Sequence, residues 1–137
     1  MDQCSILFVN PRRRRVRQLE SLRRLGFLVS EAEDLPPTAE LVAHHVVVVL
    51  TEARHALPVL GTHLRAKPQF GRRALIALVP PDTSTRARRE AVDCGFDATL
   101  PATVGGRALA VTMLRALRPH PEHRCILPPL MRSRRAA

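Results

Sequence analysis

Aromatic side chains are scarce in this chain, which contains four Phe, no Tyr and no Trp. Proteins that bind single-stranded nucleic acid without sequence preference stack the bases on exposed aromatic rings. Because so few rings are present, this mode of binding is not expected here.

Long apolar runs are also absent. A helix needs roughly 18 or more consecutive apolar residues to cross a bilayer, and the sequence contains no such run. The chain enters a short apolar stretch directly after residues 1–4, without the basic region that opens a signal peptide. We therefore expect a cytoplasmic protein that has no membrane partner.

Cysteine is rare and unevenly placed. Cys4, Cys94 and Cys125 form an odd, scattered set, which is not a disulfide framework, so reduced thiols are expected, with Cys94 in a core. His120, His123 and Cys125 approach the spacing of metal ligands, but they lie in a proline-broken segment without a second ligand pair. No Gly-rich phosphate loop and no Ser/His/Asp or Cys/His motif is recognisable. We expect no metal, no other cofactor and no enzymatic activity.

Lysine is almost absent, whereas arginine is abundant. Of the 22 basic residues only Lys67 is a lysine, which leaves 21 Arg, and the formal net charge is +10. A positive charge of this size favours polyanionic partners, namely nucleic acid, acidic protein surfaces or anionic lipid. Composition alone does not choose among them.

Short apolar runs alternate with helical stretches along the chain. The strongest strand signal is Val46–Leu50, whose continuous aliphatic residues suit a central parallel strand covered on both faces. The predicted strands are residues 6–9, 27–29, 46–50, 74–79 and 98–100. The predicted helices run from the Asn10-Pro11 start to Leu25, over 38–43, over 58–65, through Ala87, Ala91 and Cys94, and through Ala110, Met113, Leu114 and Leu117.

Strands joined by helices require right-handed crossovers and a parallel sheet. The predicted class is therefore α/β, a three-layer doubly wound sandwich with a five-stranded parallel sheet and five helices. Residues 1–117 suit one domain with one core. Residues 118–137 are rich in Pro and Arg, and we interpret them as an extended or disordered tail. Within them, residues 127–130 (Leu-Pro-Pro-Leu) fit either a linear docking motif or disorder.

Four segments carry a family resemblance. They are residues 5–9 (Ser-Ile-Leu-Phe-Val), residues 26–29 (Gly-Phe-Leu-Val), Val46–Leu50 and residues 91–97 (Ala-Val-Asp-Cys-Gly-Phe-Asp). In this order the chain resembles the receiver domain of bacterial response regulators over residues 5–117. The resemblance implies a CheY-like (flavodoxin-like) fold and a place in two-component signal transduction.

The resemblance also implies a phosphorylation site, and this chain departs from it at every position. Receivers hold Mg²⁺ with an acidic pair, accept phosphate on an Asp, and use a switch Ser/Thr, a switch aromatic residue and a Lys. In the same order, the matching residues here are Asn10 and Pro11, Leu50 or Thr51, Val79, Thr99 and Ala102. Because Mg²⁺ prefers carboxylate oxygens and phosphoryl transfer needs its acceptor, the departures indicate a degenerate pseudo-receiver that is not phosphorylated.

An arginine cluster marks the start of the predicted first helix. Arg12 and Arg15 are expected in its first turn, at the end of the sheet where doubly wound folds bind ligands. Arg13, Arg17 and Arg24 are expected opposite its apolar face. Cations oppose the helix dipole at this end, so the cluster predicts a positive corner that binds an anion or an acidic partner, or else a solvated surface.

Three functions fit these features. The first is a signalling module that binds a protein partner, with homodimerisation through the fourth helix, fifth strand and fifth helix as one form. The second is a sensor that binds a small anion in the vacated acidic pocket. The third is nucleic-acid binding driven by the arginine charge, which we expect less than a protein partner.

Overall fold

The computed structural model describes residues 3–12, 15–51, 56–71 and 73–117, together with Cys125, Leu127, Pro128 and Met131. Strands and helices alternate throughout. The elements are β1 (Ser5–Val9), α1 (Arg17–Leu25), β2 (Leu28–Ala32), α2 (Thr38–Leu41), β3 (Val46–Leu50), α3 (Leu57–Arg65), β4 (Ala74–Val79), α4 (Thr85–Asp93), β5 (Ala98–Pro101) and α5 (Gly106–Leu117).

The five strands form one parallel sheet in the order β2-β1-β3-β4-β5. The chain adds β2 on one side of β1 and then crosses to add β3, β4 and β5 on the other side. The carboxyl ends of β1 and β3 therefore flank the topological switch point, where doubly wound folds bind ligands. Helices cover both faces of the sheet, so the predicted three-layer α/β class is confirmed. Among the described residues, no helix is long and apolar enough to cross a membrane.

Two cores lie on opposite faces of the sheet because side chains alternate along each strand. Ile6 and Val48 point to the face covered by α1 and α5. Leu7 and Val49 point to the face covered by α2, α3 and α4. All six residues of β4 are buried, as expected for a strand that is covered on both faces.

The first helix begins later than predicted. The Asn10-Pro11 pair is typical of a helix start, but α1 begins at Arg17, after an extended Val16 that provides no side-chain cap. Asn10 instead continues the sheet, since its N–H donates to the Ala32 carbonyl oxygen at 2.8 Å. The consecutive arginines also oppose the helix dipole, which disfavours helix at this point.

The other differences are smaller. Strands β1 and β5 and helix α3 each extend one residue beyond the predicted bounds. Strand β2 is Leu28–Ala32 rather than residues 27–29, and α2 ends at Leu41 rather than at residue 43. Cys94, which was predicted in a core, is half-buried at the C-cap of α4. Element ends depend on local hydrogen bonds that an apolar pattern does not specify.

Most of residues 118–137 lie outside the described part of the chain, and the predicted extended tail stays a prediction. Met131 is only 8 % exposed and packs with the α1/α5 core, and Cys125 contacts the same core. Pro128 is buried. For the docking-motif hypothesis, Pro128 is therefore not an accessible residue, while Pro129 and Leu130 lie outside the described residues.

Candidate functional site

The sheet brings the positions that match the receiver site to its carboxyl edge. Val9 pairs with Val49, and Val79 with Pro101, so the residues that follow these strands are neighbours. The Thr51 N–H donates to the Leu78 carbonyl oxygen at 3.3 Å. The Ala102 N–H donates to the Val79 carbonyl oxygen at 2.7 Å. The edge therefore has the layout of a binding crevice in a doubly wound fold.

Asn10 lies at the centre of this edge and is 1 % exposed. Its side-chain Nδ2 donates to Glu31 Oε2 at 2.8 Å. A pair of carboxylates here would present only oxygen acceptors to a cation, whereas the amide presents a donor that is directed at a carboxylate. Pro11, the next residue, is exposed and has no ligand atom in its side chain. The pair Asn10 and Pro11 therefore lacks the two carboxylates of a receiver's magnesium site and offers a single amide oxygen in their place.

The end of β3 carries no carboxylate at the two acceptor positions. The half-buried Leu50 packs against the α1/α5 core, so its side chain belongs to the interior. Thr51, also half-buried, follows it at the edge. Glu52 lies outside the described residues. The two described positions thus offer an alkyl group and a hydroxyl, and neither is the carboxylate that accepts a phosphoryl group in a receiver.

Gln18 is a functional candidate that the sequence analysis missed. The residue is 5 % exposed, and its Nε2 donates to the carbonyl oxygens of Ala102 and Val104, each at 2.7 Å. One side chain of α1 thereby holds the loop between β5 and α5. Gln18, Leu22 and Leu25 are spaced i, i+4 and i+7, which places the amide on the apolar face of α1. A buried amide needs such partners, so this spacing was the available signal.

The loop between β4 and α4 is mostly exposed, but it leaves a buried strand and carries the buried Thr83. Val79 is fully buried and has no hydroxyl, and Pro80 and Pro81 fix two φ angles. Thr83 is 7 % exposed, its N–H donates to the Pro80 carbonyl oxygen at 3.0 Å, and its Oγ1 has no hydrogen-bond partner within the described part of the chain. Ser84 then caps α4 by accepting from the Ala87 N–H at 3.1 Å. Thr99, which the sequence analysis matched to the switch aromatic residue, is half-buried on β5.

The arginine cluster is placed differently from the prediction. Arg12 and Arg15 lie in the connection between β1 and α1, so their assignment to the first helical turn is wrong. Arg15 is highly exposed and pairs with the exposed Glu20 at 3.4 Å, a surface contact that contributes at most about 1 kcal/mol. Arg17 and Arg24 are exposed on α1, and Arg13 lies outside the described residues.

Two other arginines are structural. Arg65 donates through Nε to the Gly95 carbonyl oxygen at 2.8 Å and through Nη2 to Asp97 Oδ2 at 2.9 Å. Asp97 also accepts the Leu75 N–H at 2.7 Å, so the last residue of the 91–97 segment fixes α3 and β4 to β5. Arg73 donates to four backbone carbonyl oxygens, and burial lowers the pKa of its guanidinium. The guanidinium groups of Arg65 and Arg73 therefore bind other parts of this fold.

Comparisons with known proteins agree with this architecture. No protein-family model and no curated protein matches the chain. Solved structures do match, at low sequence identity. An atypical orphan response regulator aligns with a TM-score of 0.65 at 16% identity, over 83% of this chain and 95% of that one.

Two further structures give the same result. An orphan response regulator of H. pylori aligns with a TM-score of 0.63 at 15% identity, over 84% of this chain and 97% of that one. A chemotaxis response regulator of Vibrio cholerae aligns with a TM-score of 0.59 at 18% identity, over 84% of this chain and 99% of that one. Together with the strand order, these alignments show that the chain has the CheY-like fold of response-regulator receiver domains.

Proposed function

We propose that this protein is a non-phosphorylatable, receiver-like signalling module that acts through protein–protein contact. The observation that carries the proposal is the buried Asn10 amide, which donates to Glu31 where an active receiver needs metal-binding carboxylates. With Leu50 or Thr51 at the acceptor position, the described residues offer no carboxylate at the positions that match the metal-binding pair and the acceptor. A module of this kind signals by being bound, not by being phosphorylated.

The fixed loops support the same proposal. Gln18 holds the loop after β5 through two carbonyl oxygens, and the loop after β4 contains Pro80 and Pro81. A phosphorylation switch works by moving such loops between two arrangements. Here the side chains that would sense a phosphoryl group, at Val79 and Ala102, have neither a hydroxyl nor a charge.

The structural neighbours add a precedent. Two of them are orphan response regulators, and the structure of one is described as revealing a phosphorylation-independent regulatory mechanism. We infer the same independence for this chain from its own residues. The role in a two-component pathway of a bacterial cell belongs to the proposal as well.

The surface formed by α4, β5 and α5 is the proposed contact face. Arg86, Arg89 and Arg107 are exposed on its helices, and Val92 is a large apolar side chain that is 43% exposed. Arg86 pairs with Glu90 of the same helix at 3.4 Å, whereas the exposed Arg89 and Val92 are three residues apart on α4 and suit a partner that has acidic and apolar side chains. A second copy of the chain can supply the exposed Asp93 of α4, so homodimerisation is one form of this contact.

Acetyl phosphate tests the independence from phosphorylation. The protein is incubated with acetyl phosphate and Mg²⁺, beside an active receiver as a positive control, and its intact mass is measured. We expect no change in mass for this chain and a phosphoryl adduct for the control. An adduct on this chain that is stable in acid but labile in base would identify an acyl phosphate and refute the proposal.

A charge reversal tests the contact face. Arg89→Glu on α4 is compared with Arg24→Glu on α1, since both side chains are exposed on helices. Partners are recovered from the native cell by pull-down, and self-association is measured by light scattering. We expect Arg89→Glu to weaken partner binding or dimerisation by roughly tenfold or more, and Arg24→Glu to leave it unchanged. Equal effects of both variants would place the contact elsewhere.

A further inference from the structure

A cluster of two thiols and an imidazole lies at the amino edge of the sheet, opposite the candidate site. Cys4 directly precedes β1 and His45 directly precedes β3, and these strands are neighbours. Cys125 reaches the same place from the C-terminal segment. The two sulfur atoms and the nearest ring nitrogen all lie within 4.8 Å of one another. Cys4 is 1% exposed, whereas His45 and Cys125 are half-buried.

This donor set matches the requirements of zinc. Tetrahedral Zn²⁺ binds thiolate sulfur at about 2.3 Å and imidazole nitrogen at about 2.0–2.1 Å, which separates its ligand atoms by roughly 3.5–3.8 Å. The cluster needs only small side-chain movements to reach this spacing. We propose that Cys4, His45 and Cys125 form a Cys₂His site for Zn²⁺, with the fourth position left for water or another ligand. Hard cations such as Mg²⁺ are excluded by the two sulfur ligands.

The metal-free hydrogen bonds are compatible with this exchange. The two thiols lie within 4.8 Å of each other, and binding of one Zn²⁺ replaces both thiol protons, so two protons are released. His45 Nδ1 accepts the Ser5 N–H at 3.1 Å. Coordination through Nδ1 replaces this hydrogen bond, and coordination through Nε2 moves the ring proton to Nδ1. Either route breaks the hydrogen bond from the Ser5 N–H, which is much weaker than two zinc–thiolate bonds.

The site would fix the C-terminal segment to the domain. Pro128 is buried against Gly26, where an added Cβ would lie 3.0 Å from the Pro128 Cβ. Met131 is buried in the α1/α5 core. These contacts are apolar. A metal bound to Cys125 would add a coordinate bond between the C-terminal segment and the ends of β1 and β3. Zinc would therefore stabilise the docked segment in addition to binding the thiols.

Cobalt(II) provides a spectroscopic test of the full-length protein. The chain is reduced, freed of metal with a chelator, and titrated with cobalt(II) chloride. We expect thiolate-to-cobalt charge-transfer absorption that saturates at one cobalt per chain and disappears when zinc chloride is added. The half-buried Cys125 is the safest position to change, and Cys125→Ser should weaken zinc binding by at least about 100-fold.

Cys94→Ser is the matched control. Cys94 is the third cysteine of the chain, is half-buried like Cys125, and lies at the end of α4, outside the cluster. This variant should bind cobalt as the unmodified chain does. Absence of the charge-transfer band in the reduced unmodified chain, or an equal loss in Cys94→Ser, would overturn the proposal. So would a Cys4–Cys125 disulfide in protein isolated from cells, seen as a mass lower by two hydrogen atoms with no bound metal.

Discussion

Gln18 links the first helix to the loop that follows the last strand, and its contribution to stability can be measured. Replacing it by methionine keeps the length of the side chain but removes the donor of both 2.7 Å hydrogen bonds. The carbonyl oxygens of Ala102 and Val104 then lose this partner inside the protein. We expect Gln18→Met to lower the free energy of unfolding by about 1–3 kcal/mol in urea denaturation.

Gln69→Met is the control for this measurement, because Gln69 is exposed. It should change the free energy of unfolding by less than about 0.5 kcal/mol. In hydrogen exchange, the amides of the loop between β5 and α5 should exchange faster in Gln18→Met only. Similar stabilities of the two variants would mean that the loop is held by other contacts.

The role of a single arginine could not be predicted from the sequence. The arginines appear in the sequence as surface charge, yet Arg65 donates to Gly95, Asp97 and other backbone groups inside the fold. These partners are distant in sequence and become neighbours only after the sheet has formed. A local pattern contains no information on such contacts, so composition overstated the charge that is free to bind a polyanion.

At the scale of elements, strands β3 and β4 and the start of α2 were predicted to the residue, whereas the start of α1 was not. Strands β3 and β4 have the predicted bounds because a continuous aliphatic run fits a strand buried on both faces. The predicted start of α1 was wrong because the Asn10 side chain forms a hydrogen bond with Glu31 and does not cap a helix. One side-chain hydrogen bond decides a helix start, whereas many buried groups decide a strand.

The loop between β4 and α4 is expected to keep one conformation. Pro80 and Pro81 restrict the backbone, the Thr83 N–H is bonded to the Pro80 carbonyl oxygen, and Val79 has no hydroxyl with which to follow a phosphate. We expect flat relaxation-dispersion profiles for the amides of Leu78, Val79, Asp82 and Thr83. Millisecond exchange confined to these amides would reveal a second loop state and contradict the rigid-loop interpretation.

At the scale of the whole molecule, the sequence predicted the fold, because the fold follows from the alternation of strands and helices along the chain. The role of the matched residues at the carboxyl edge stays a prediction. The sequence did not predict the cluster of Cys4, His45 and Cys125 at the other edge. The residues come from the start, the middle and the end of the chain, and only the pairing of β1 with β3 and the packing of the C-terminal segment bring them together. Along the sequence, His120, His123 and Cys125 approach the spacing of metal ligands, but no second ligand pair follows them, so no metal was predicted; His120 and His123 lie outside the described residues.

The arginines also allow the three functional hypotheses to be separated in solution. Replacing Arg12 and Arg15 together by glutamine removes two charges from the connection that leads away from Asn10, while the element bounds should be unchanged because neither residue is helical. If a small anion binds at the carboxyl edge, we expect the double variant to weaken its binding by roughly tenfold, measured by calorimetry with sodium sulfate. A protein partner held by the α4-β5-α5 face should bind the double variant as it binds the unmodified chain. Circular dichroism checks that the fold is intact.

The comparison is with Arg17 and Arg24, which are exposed on the outer face of α1 and are replaced by glutamine in the same way. If the carboxyl edge binds a specific anion or partner, the loss is confined to the Arg12 and Arg15 variant. If DNA is bound through diffuse charge, both variants lose affinity equally. The logarithm of the affinity then also falls with the logarithm of salt concentration, with a slope of about −0.9 for each phosphate neutralised. Unchanged binding in both variants would mean that the arginine cluster is only a solvated surface. The α4-β5-α5 face would then be the surface on which to map the contact.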